Sequence, residues 1–125
     1  MAARQPISLT MGHFNCIWQR DACDLALRSL SRVSVPPLVL NLTGPDVISV
    51  REVCEQMGRL FDVPITFVDS ESETALLSNS RRAMSQLGHP ETPLDVMIEH
   101  TCAWVKAGGP TWGKPTHFQT RDGSF

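Results

Sequence analysis

Tyrosine is absent from the 125 residues, and with it any reaction that needs a phenol as its base. Neither G-x-G-x-x-G nor G-x-x-x-x-G-K-[ST] occurs, so both of the glycine-rich turns that cradle phosphates are missing. There is no G-x-S-x-G elbow, which excludes the serine-hydrolase turn. Lysine is scarce, with Lys106 and Lys114 alone, both in or after the last helix. None of the four cysteines (16, 23, 54 and 102) forms a C-x-x-C pair, and His13, His89, His100 and His117 are scattered, so no metal site is expected. No apolar run approaches the roughly 18 residues of a membrane helix, and the first residues carry no secretory signal pattern. The cysteines are therefore expected to be reduced and the chain cytoplasmic, away from membranes.

What remains is ordinary globular material, 42% hydrophobic and 19% charged, of a length that suits one domain over 1–125. The net charge of −2 argues against nucleic acid as a partner. Arg81-Arg82 is the one adjacent basic pair and reads as a solvated helix face.

The organising stretch is 37–68. Residues 38–42 are mostly apolar and suit a strand buried on both faces. Thr43, Gly44, Pro45 and Asp46 are turn chemistry. One glycine followed by proline supplies few N–H donors, so this turn is a weak phosphate cue. Ser49 and Glu52 form the S-x-x-E capping box at a helix start. Val50, Val53, Cys54, Met57, Leu60 and Phe61 follow at helical spacing, with Cys54 expected as a buried thiol. Asp62 and Pro64 stop the helix, and 65–68 reads as a second strand. A strand–helix–strand unit of this length predicts parallel pairing with a right-handed crossover.

Around that unit, 1–12 reads as an irregular lead-in and 14–18 as a short extended segment. Asp21 is placed to cap a helix over 22–31, whose apolar side is Leu25, Ala26 and Leu30. The stretch 69–74 is an acidic loop; its Glu71 and Glu73 read as solvated rather than as a catalytic carboxylate pair. Ser78 or Ser80 caps a helix carrying Ala83, Met84 and Leu87 and ending at Gly88. A last helix starts with Thr92 as N-cap and Pro93 as N1, with Asp95 in its first turn. Leu94, Met97, Ile98, Thr101, Trp104 and Val105 line its core face, and Gly108-Gly109 end it. The tail, 110–125, holds too many turn residues for a regular element; Trp112, His117 and Phe118 dock on the domain or line a pocket, docking being the simpler reading. The predicted fold class is α/β: a small, partly parallel sheet with three to four helices.

Several segments in order carry a family likeness: N-C-I-W-Q-R-D-A at 15–22, V-L-N-L-T-G-P-D at 39–46, S-V-R-E-V at 49–53, A-L-L-S-N-S at 75–80, L-G-H-P at 87–90 and G-K-P-T-H-F at 113–118. From about Gly12 onward the chain resembles the C-terminal, substrate-side region of NAD-dependent epimerases/dehydratases, the extended short-chain dehydrogenase/reductase family. In that family an upstream Rossmann domain binds NAD(P) through a glycine-rich turn, and a Ser/Thr with a Tyr-x-x-x-Lys pair does the chemistry. No position here matches those residues, so the likeness implies no catalytic residue and no cofactor-binding residue in this chain. NAD(P) would be the parent family's cofactor, and a Rossmann domain a partner. Many nucleotide-sugar members carry a diphosphate-gripping Arg several residues before the helix that Asp21 opens. Here Phe14 stands near that place, and Arg20 is a poor substitute. Phe14, Trp18 and Gln19 precede the helix where family members approach substrate, and are the substrate-facing candidates beside their simpler role in packing. Two functions follow as expectations. The chain is a substrate-domain fragment without activity alone, or an autonomous binding or self-assembly module that forms homo-oligomers. Reassembly with a separate Rossmann polypeptide is a third possibility.

Overall fold

Every strand among the described residues is two residues long, so long-range pairing rather than strand propensity sets the sheets. The computed structural model describes residues 5–113. In order they form β1 (Ile7–Ser8), β2 (His13–Phe14), α1 (Gln19–Ser29), a 3-10 turn (Leu30–Arg32), β3 (Ile48–Ser49), α2 (Val50–Phe61), β4 (Phe67–Val68), α3 (Arg81–Leu87) and α4 (Leu94–Lys106). The fold is α/β with four helices and a parallel strand pair, as the sequence predicts. No helix among the described residues is long and apolar enough to cross a membrane.

The chain gathers into two compact units. Among the described residues the first takes 5–14, Ile48–Leu76 and 95–113; the second takes Asn15–Val47 and Leu77–Leu94.

In the first unit β1 pairs with β4 in parallel, Ile7 opposite Phe67, and β2 pairs with β3 antiparallel, Phe14 opposite Ile48. The ladder reaches beyond the strands: Ile7 N–H donates to Thr66 O at 2.9 Å and Leu9 N–H to Val68 O at 3.0 Å. Leu9 is fully buried and heads a core of Met11, Ile48, Val50, Ile98 and Cys102. In the second unit α1 packs on α3, and Leu25, Ala83, Met84 and Leu87 are its buried apolar side chains.

Helix α2 forms as its sequence signals require. The Ser49 hydroxyl accepts from Glu52 N–H at 3.3 Å, the N-cap half of the capping box. Its end is a Schellman motif: Asp62 sits at φ 54°, its N–H donates to Arg59 O, and Val63 N–H donates to Gly58 O at 3.0 Å. Helix α4 closes the same way, with Gly108 at φ 68°, its N–H on Val105 O and Gly109 N–H on Trp104 O. Gly88, at φ 94°, closes α3.

Several expectations are corrected. The stretch 5–12 is not irregular throughout: it supplies β1, the parallel partner of β4. Residues 38–42 form no strand, so the expected partner of β4 is not the observed one. Their leucines are half-buried in alternation with exposed Val39 and Asn41, but no ladder joins them. Asp21 does not cap α1; Trp18 occupies the N-cap position, and no side chain caps there. Ser80 is at the N-cap of α3, but its hydroxyl turns to Gly44 O and Met84 Sδ, and the Asn79 carboxamide takes the Arg81 N–H at 3.0 Å instead. On α4 the buried pair is Ile98 and Cys102, while Trp104 is 53% exposed and lies against Gly109. Cys54 is half-buried rather than buried. Trp112 is 93% exposed rather than docked against the described residues; His117 and Phe118 lie outside them.

Two substitutions test the α2 turn. A Cβ at Gly58 would meet Ile65 Cγ1 at 2.6 Å, so Gly58→Ala should destabilise by about 1–3 kcal/mol through overpacking. Asp62→Gly should stabilise by about 0.5–1 kcal/mol, because glycine takes a left-handed φ without a Cβ penalty. Thermal melts of both variants check this; a stabilised Gly58→Ala would contradict the close approach.

Candidate functional site

The candidate residues fall in different units. Phe14 is in β2, half-buried, in the first unit; Trp18 and Gln19 are in the second, Trp18 half-buried at the N-cap of α1 and Gln19 exposed at its first position. The structure therefore brings Trp18 and Gln19 together at one corner, and the account of that corner is an account of what holds 15–21.

Three polar contacts hold it. The Asn15 carboxamide clasps Ser78 in both directions, Nδ2 donating to Ser78 O at 2.7 Å and Oδ1 accepting from Ser78 N–H at 3.3 Å. Gly44 N–H donates to Cys16 O at 2.9 Å, and a Cβ on Gly44 would run into that same oxygen, so glycine is required for the approach. Asp21, 4% exposed, accepts Glu91 N–H at 3.1 Å and Thr92 N–H at 2.8 Å on one carboxylate oxygen. Burial alone pushes the Asp21 carboxyl up. The Thr92 backbone and side chain, the Glu91 N–H and the Arg20 guanidinium outweigh it and hold the group below the ordinary aspartate value.

The corner thus spends its polar side chains on backbone. Asn15, Asp21 and Ser80 are positioning residues, and none is poised as an acid, base or nucleophile. Burial pushes the Cys16 thiol up, the opposite of an activated thiolate. The same cause raises Cys54, and raises Cys102 against the opposing pull of Lys106. No group of three His, Cys, Asp or Glu among the described residues is arranged to hold a metal. An indole and a carboxamide at a fixed helix start are chemically able to stack and to hydrogen-bond, without proton transfer.

The acidic loop has a structural use. Glu71 accepts from Arg51 Nε at 2.7 Å, and the Arg51 guanidinium lies 4.8 Å from the Phe67 ring centroid. The Arg51 hydrogen bond holds the Glu71 carboxyl below its usual range. Sequence reading missed Asn15, Gly44 and Asp21 as a set. Asp21 carried the one signal, an acid at a helix start, and it pointed to the wrong helix.

Among the described residues, a groove opens on the surface of each unit. The larger, about 660 Å³, is bounded by α2 and the returning chain at Gly58, Arg59, Val63 and Ile65. The smaller, about 340 Å³, runs between the 3-10 turn and 37–42. Neither is lined by Phe14, Trp18 or Gln19.

No family model matches the sequence, and no curated relative matches it. Among solved structures, the fold is similar to a UDP-glucuronic acid 4-epimerase from Bacillus cereus determined in complex with NAD. The TM-score is 0.62 at 14% identity, over 83% of this chain and 35% of the epimerase. The chain therefore spans about a third of the length of that enzyme.

Removing the anchor gives a test with a sign. Asp21 is held below its unfolded value, so its contribution is fully present above about pH 4 and is lost as pH falls through the lowered folded value. Asp21→Ala should cost roughly 2 kcal/mol at neutral pH, since two donors lose a charged acceptor. The variant's stability should also fall less steeply on acidification than the wild type's. Urea midpoints from neutral to acid pH measure both; parallel curves for the two proteins would contradict the anchor.

Proposed function

We propose that these residues are the substrate-side part of a protein of the NAD-dependent epimerase/dehydratase kind, with no catalytic activity by themselves. The observation that carries the reading is the fold likeness to one third of an NAD-bound epimerase. It is supported by the absence, throughout the 125 residues, of a tyrosine and of a phosphate-cradling glycine turn. On this reading the cofactor belongs to a Rossmann-type partner, and Trp18 and Gln19 are the groups that meet a substrate, by stacking and by amide hydrogen bonding.

A second reading has its own support. Large aliphatic side chains stand exposed along 27–39, which favours a small binding or self-assembly module derived from the same domain.

The test is an assay of the purified chain with NAD and UDP-sugars, read by NADH formation and by NMR of the sugar. No turnover is expected. Product formed above the rate without protein would overturn the first reading.

A further inference from the structure

We draw no further inference here: the strongest candidate, the groove of about 660 Å³ between α2 and the returning chain at 63–67, has only the exposed side chains of Glu55, Arg59 and Asp62 as its charged lining, and nothing in the structure shows what occupies or covers it.

Discussion

The second unit depends on one buried carboxylate. Asp21 is removed from water at a cost that only hydrogen bonding can offset, and the two backbone N–H groups of Glu91 and Thr92 supply it. The bonds join residues 70 and 71 apart in sequence, so Asp21 fixes α1 to the 91–92 segment, beside the exposed Arg20–Glu91 ion pair at 3.8 Å. Asn15 and Gly44 then tie the entry to α1 to two further loops. The start of α1, where Trp18 and Gln19 stand, is held in place by Asn15, Gly44 and Asp21.

The first unit is built on a different constraint. Its strands are too short to hold by themselves, and they are placed by β1 crossing beside β4 and by Val50 N–H reaching Gly12 O at 2.9 Å. Around that frame Gly12 admits the Glu71 side chain, with a Cβ position only 2.7 Å from Glu71 Cγ, and Glu71 in turn receives Arg51. The acidic loop is thereby drawn onto α2. Two carboxylates close in sequence, Glu71 and Glu73, resolve into one ion-paired group and one exposed group.

Local signals were legible where a few adjacent residues settle the outcome. Ser49 and Glu52 mark the start of α2, Asp62 its end, and Gly108-Gly109 the end of α4, because caps and left-handed turns depend on neighbours only. Sequence was silent where a partner some 60 residues away decides. Ile7–Ser8 has nothing strand-like about it until Phe67–Val68 lies alongside, and 38–42 has the strand pattern but no ladder. Burial on α4 followed a narrower stripe than apolarity suggested, Ile98 and Cys102 without Trp104. At the candidate corner the helix and its first residues were readable; the glycine approach at Gly44 and the cross-chain use of Asp21 were not, since each requires knowing which loop comes near.

The most direct measurement is the titration of the Asp21 carboxyl in the folded chain, followed by carbon-detected NMR together with the Glu91 and Thr92 amide shifts. The account predicts a pKa below that of a free aspartate, with both amides moving along the same curve. An ordinary or raised value, with the two amides indifferent to it, would contradict the claim that this carboxylate anchors the corner.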